Sequence, residues 1–187
     1  MVSEKIDDAV RVIQEEQPQL PAGAEYGIYE YDLGDNCTLQ VELQDRAEDK
    51  EQPMTVRPMA VSGSANVWKD YGNRYFTAKA TVNCGNEAVS FILENHYKLS
   101  ADGVDERYGV AKYNRGKTAI VDNDTPVISK SSAKSIGSSA SIYCNFSCKA
   151  GTAAQKYKLN TTVKYLKHDK AGKRLQVQQA WNLTKVS

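Results

Sequence analysis

The chain has 187 residues, 41% of them apolar and 25% charged, and a formal net charge of +1. That length and balance suit one folded domain with a sizeable core and exclude a disordered chain, and no apolar run approaches the roughly 18 residues that a bilayer-spanning helix needs. The near-zero total conceals a gradient: residues 1–53 carry 14 acidic and 4 basic side chains, whereas residues 126–187 carry 1 and 11. Such a gradient either neutralises itself, if acidic strands lie beside basic ones, or leaves a basic face for an anionic partner.

Residues 3–17 predict a helix. Ile6, Ala9, Val10 and Ile13 stand at i, i+3, i+4 and i+7, the spacing of one apolar stripe. Ser3 is placed to cap free amides, with Glu4, Asp7 and Asp8 near the positive end of the dipole, and Pro18 and Pro21 stop the helix. A helix this short is marginal alone, so it is expected to dock on a sheet or to act as a spacer. Its acidic polar face argues against a role lying on anionic lipid. The organisation expected is a helix and linker over residues 1–21 followed by a single β domain over residues 22–187.

Residues 26–33 and 37–43 form a predicted hairpin across Gly34-Asp35-Asn36, with Cys37, Leu39, Val41 and Leu43 on one face. Residues 44–53 are charge-rich and read as a solvated loop. Residues 54–61 are a possible strand that Pro58 confines to an edge. Residues 62–73 are a Gly-, Ser- and Asn-rich loop carrying Trp68 and Tyr71. Alternation returns over 74–84, with Phe76, Ala78, Ala80, Val82 and Cys84 sharing a side; Gly85-Asn86 then turns the chain into 87–99, whose core set is Val89, Phe91, Leu93 and Tyr97. Shorter strands follow at 107–113 and 118–122, and residues 129–141, with seven serines, read as a surface connection.

The last fifty residues alternate most strictly. Ala140, Ile142, Cys144, Phe146 and Cys148 share one parity; so do Tyr157, Leu159, Thr161, Val163 and Tyr165, and then Leu175, Val177, Gln179, Trp181 and Leu183. Residues 168–172 make the turn between the second and third strands, with Gly172 supplying a positive φ. This is an antiparallel meander with a dry face and a wet, basic face. Nine or ten strands with almost no helix after residue 17 predict a mainly β fold: an antiparallel β-sandwich, or alternatively an open β-barrel, with one short N-terminal helix.

Candidate chemistry is sparse. Cys37, Cys84, Cys144 and Cys148 all have core-facing parity. On one strand Cys144 and Cys148 lie roughly 13 Å apart, beyond disulfide reach. If all four pair, Cys37 and Cys84 must therefore join the other two, in either arrangement; otherwise all four are buried thiols. Two histidines and a Cys-x-x-x-Cys spacing make a poor zinc scaffold, so no metal and no cofactor are expected. His96 beside Glu94 and His168 beside Asp169 have the composition of an acid–base pair but no accompanying motif: nucleophile elbow, phosphate loop, dinucleotide fingerprint and zinc-protease signature are all missing. Asn145, Asn160 and Asn182, and more weakly Asn36, fit the glycosylation pattern. Three of them fall mid-strand on the wet face, which suits cross-strand hydrogen bonding better than glycans.

Two surface features suit a ligand. The first is the wet meander face, where Lys156, Lys158, Lys164 and Arg174 project. The second is an aromatic loop, Trp68, Tyr71 and Tyr75 with Arg74, of the kind that holds sugars or proteins. Against the second stands Trp68 as a plug closing the end of the sandwich. The expected protein is a non-catalytic extracellular or cell-surface binding module whose partner is a glycan, an anionic wall polymer or a protein. Its export signal is expected to lie outside these residues. A hydrolase with spatially assembled carboxylates, or an interaction protein pairing through the helix or an edge strand, are the alternatives. Nucleic acid is disfavoured by the near-zero net charge and the lack of a stacking motif.

Overall fold

A computed structural model describes residues 2–48 and 67–186. The predicted edge strand at 54–61 lies outside the described residues, as do most of the charged loop before it and the first part of the loop after it. Helix α1 (Val2–Glu16) is followed by β1 (Tyr26–Gly34), β2 (Cys37–Ala47), β3 (Lys69–Asp70), β4 (Gly72–Cys84), β5 (Glu87–Ser100) and β6 (Gly103–Asn114). The second half holds β7 (Ala119–Asn123), β8 (Val127–Lys130), β9 (Ser132–Ala133), β10 (Ser139–Ala150), β11 (Ala153–Asp169) and β12 (Arg174–Val186). They form two antiparallel sheets, ordered β1-β2-β4-β5-β6-β9 and β3-β12-β11-β10-β7, with β8 also on β10. The fold is a sandwich and not a closed barrel.

The alternating side chains meet where the two-residue period sends them. Leu39, Val41, Leu43, Phe76, Val89, Phe91 and Leu93 of one sheet are fully buried with Ile142, Phe146, Leu159 and Val163 of the other. The Phe91 ring stands edge-on to Phe146 at 5.4 Å. Trp181 joins this core, donating its indole N–H to Pro18 O at 2.7 Å. The β1–β2 hairpin closes in two residues, Asp35 and Asn36, both at positive φ (55° and 57°), the twist that a tight hairpin favours.

The helix is part of this core. It bridges the open side between β1 and β12: Lys5 Nζ donates to Leu33 O at 2.7 Å, and Gln14 Nε2 donates to Leu183 O at 2.9 Å. Val2, Ile6, Ala9 and Ile13 are buried, and truncating such a side chain costs roughly 2–5 kcal/mol. Docking is therefore its role. Ser3 lies inside the helix and not at its cap, because the helix already begins at Val2; it ends where Gln17 turns to φ 46° before Pro18. On the opposite side β6 packs against β10 so closely that a Cβ at Gly109 would lie 2.5 Å from Ile142 Cδ1.

Four expectations are corrected. The disulfide joins Cys37 to Cys84, because β2 and β4 place them directly opposite each other with Cα atoms 4.2 Å apart. Cys144 and Cys148 are unpaired with each other, as their spacing on one strand requires, and both are buried thiols. The error lay in taking four cysteines as two bonds. Residues 44–47 continue β2 instead of opening a loop, since Asp45 turns inward to partners on three other strands. Residues 129–141 are not one connection: the end of β8, all of β9 and the start of β10 fall within them, leaving 134–138 as the turn, with Ser129 Oγ and Ser141 Oγ 2.8 Å apart. At the β11–β12 turn the positive φ falls on Lys173 (51°) and not on Gly172; a Cβ at Gly172 would meet Asp169 Oδ2 at 2.5 Å.

Candidate functional site

The strands divide the eight predicted contact residues among four places. Lys156, Lys158 and Lys164 project from the outer face of β11, as their parity requires. Cross-strand pairing sets Lys156 opposite Ser147, Lys158 opposite Asn145 and Thr184, and Lys164 opposite Ser139 and Gln178. Between them runs the row Tyr143, Asn160, Asn182. Lys158 Nζ sits 4.0 Å from the centre of the Tyr143 ring, a cation–π contact. Among the described residues no carboxylate lies within ion-pairing distance of these three lysines. The acidic strands β1 and β2 belong to the other sheet, across the core. The acidic helix, by contrast, lies along β12, where Asp7 pairs with Lys185 at 2.7 Å, so the charge gradient is partly cancelled at that edge and persists over β11.

Trp68, Tyr71 and Arg174 meet at one end of this sheet. β3 pairs with the first two residues of β12, Arg174 opposite Asp70. That brings the Trp68 ring to 5.3 Å from the Arg174 guanidinium carbon. Arg174 also binds Asp169 at 2.7 Å; the Gly172 amide first, and this guanidinium second, hold the Asp169 carboxyl below its usual range. Tyr71 is fixed through its hydroxyl to His168 Nε2, and His168 Nδ1 lies 2.9 Å from Tyr165 Oη. A neutral imidazole here donates from one nitrogen and accepts at the other.

Arg74 and Tyr75 are not at this end. Arg74 points into the core and donates from Nε to Asp45 Oδ1 at 3.0 Å. Burial alone would lower its pKa, but the Asp45 carboxylate keeps it raised. Asp45 also accepts from Tyr97 Oη at 2.7 Å and from Gln179 Nε2, with Lys69 Nζ at 3.5 Å. This cluster of opposite charges and matched donors ties β2, β4 and β5 of one sheet to β3 and β12 of the other, and leaves Arg74 no surface to offer. The sequence did hold the warning: Arg74 shares parity with Phe76 and Ala78. Tyr75 faces outward from the sheet that contains β1 and β2 and stacks on His96, whose ring stacks in turn on Tyr108 at 4.3 Å.

The two free thiols are held in their protonated form. Burial pushes the Cys144 thiol up to about 12, and it also raises Cys148, so both are protonated near neutrality. Among the described residues no three metal-ligating side chains cluster and no helix is long and apolar enough to cross a membrane. No family model matches the chain, and no curated protein or solved structure matches it.

Proposed function

We propose that this chain is a non-catalytic binding module, extracellular or attached to a cell surface, that holds an anionic glycan or wall polymer along the outer face of β10, β11 and β12. The observation that carries the reading is the strip of Lys156, Lys158 and Lys164, with no carboxylate in pairing distance among the described residues. Lys156 and Lys164 are eight residues apart, so the strip runs for roughly 27 Å. A linear polyanion meets several cations at once along such a strip, while the amides and hydroxyls of Asn145, Asn160 and Thr184 accept and donate between them. Trp68 lies beyond one end of the strip, beside an Arg174 already paired with Asp169, and offers an aromatic face there. The Cys37–Cys84 disulfide is in keeping with an oxidising compartment.

Calorimetric titration with a sulfated polysaccharide tests it. Binding is expected at low ionic strength and should weaken steeply as salt rises. Replacing Lys156, Lys158 and Lys164 together by Gln should lower the affinity at least about tenfold, roughly 1.4 kcal/mol. Trp68→Ala with Tyr71→Ala should produce a smaller loss on a glycan array. Unchanged binding in the triple lysine variant refutes the reading.

A further inference from the structure

The outer face of the other sheet holds a feature that no linear motif reveals. The cross-strand row Tyr26, Gln44, Thr77, Glu94 runs over β1, β2, β4 and β5, and its third member is short. Its neighbours on the same face of β4 are Tyr75 and Lys79. A short side chain ringed by long ones leaves a hollow, and an open depression of about 370 Å³ lies there. Tyr75 and His96 wall one side, Ile92 another, and Tyr26 the β1 edge. Its volume falls in the lower part of the roughly 300–1,000 Å³ typical of ligand sites.

The charges round this hollow are matched internally. Glu42 binds Lys79 at 2.7 Å and Glu94 binds Lys112 at 2.8 Å. Glu48 holds His96 Nδ1 at 2.8 Å and Arg107 at 2.6 Å. The side chains that line the hollow therefore offer hydrogen-bonding atoms with their own charges paired, and Arg46, opposite Tyr75 on the same face, adds one cation at its edge. Tyr75 is packed on His96, with ring centres 5.5 Å apart, and His96 on Tyr108, so the aromatic wall is ordered before anything binds, which lowers the entropic cost of binding. An apolar ligand would strip water from the polar atoms of Gln44 and Thr77 without replacing it, which is unfavourable. A polyanion would meet two carboxylates. A neutral pyranose satisfies both demands, since it has apolar C–H faces and a ring of hydroxyls.

We propose that this depression binds a neutral sugar residue, with Tyr75 and Ile92 against its C–H faces and Gln44, Thr77 and Glu94 engaging its hydroxyls. The site lies on the opposite sheet from the lysine strip and does not rest on the polyanion reading. The test is an amide-resolved NMR titration of the full chain with neutral trisaccharides of glucose, galactose, mannose and N-acetylglucosamine. At least one should give saturable shifts centred on Gln44, Thr77 and Glu94. Thr77→Tyr, which fills the hollow on an outward strand position, and Tyr75→Ala, which removes the wall, should each weaken that binding at least about tenfold, roughly 1.4 kcal/mol. The variant lacking the three lysines should bind the same sugar with unchanged affinity. Absence of shifts with all four trisaccharides overturns the proposal, as does undiminished binding by a folded Thr77→Tyr variant.

Discussion

Glu106 shows how a single side chain can make this fold sensitive to pH. It faces inward on β6, where it accepts a 3.0 Å hydrogen bond from Asn95 Nδ2, and no cation approaches it among the described residues. Its Oε2 and Asn95 Oδ1 are buried without a hydrogen-bond partner among the described residues. Burial raises the carboxyl from 4.5 to about 7 even though the Asn95 hydrogen bond pulls the other way. In the unfolded chain the group ionises near 4.5, so between the two values the folded state holds a proton that the unfolded state has released. Stability is therefore complete below about 4.5 and falls as pH rises through about 7, by on the order of 3 kcal/mol. Glu106→Gln keeps the neutral form's shape. Urea unfolding across pH 4.5–8 should show wild type losing stability with rising pH while the variant stays nearly level. Parallel curves would mean that Glu106 ionises in the fold as it does in water.

At the scale of elements, the disulfide joins two strands that are already hydrogen-bonded neighbours, so it adds little to sheet geometry and acts mainly on the unfolded chain. It closes a sequence separation of 47, for which loop-closure entropy gives about 4 kcal/mol. Alkylation of the denatured, unreduced chain should add two labels, at Cys144 and Cys148, and prior reduction should raise that to four. Cys37→Ala with Cys84→Ala should lower unfolding free energy by about 2–4 kcal/mol. Four labels without reduction would remove the bond. The β4–β5 hairpin, β2 and the meander were legible because their strands keep one parity of apolar side chains over most of their length, whereas β1 carries Tyr26 and Ile28 on the face opposite Tyr29, Tyr31 and Leu33. The elements that escaped had lost that signal. Asp45 places a carboxylate at a core position, so the end of β2 resembled a loop. The pairing of β5 with β6 shifts between His96 and Tyr97, which breaks the parity of β6 at Arg107. β8 and β9 are only four and two residues long, and all of β8 is exposed, so no alternation of buried and exposed side chains marks them.

For the whole molecule, what matters is where charge lies and not how much there is. The net charge is +1 and the sequence pI is about 7.6, values that a uniformly mixed surface would turn into weak adsorption to any matrix. The lysine strip was readable because parity alone sends Lys156, Lys158 and Lys164 outward. That acidic strands do not cover it was not readable, because strand order depends on pairing between distant segments. The sugar-sized hollow was less legible still, since it is defined by side chains on five strands that share no spacing. A strip of roughly 27 Å exceeds the Debye length of about 10 Å at 0.1 M salt, so its cations act as a local patch and not through the molecule's total charge. At pH 7.6 the chain should therefore be retained on a cation exchanger despite its balanced composition. Replacing Lys156, Lys158 and Lys164 by Gln should abolish retention. Replacing the exposed Lys98, Lys112 and Lys117 by Gln removes the same total charge from elsewhere and should shift elution only slightly. Co-elution of the two triple variants would show that total charge governs adsorption and that the strip has no separate standing as an anionic-polymer surface.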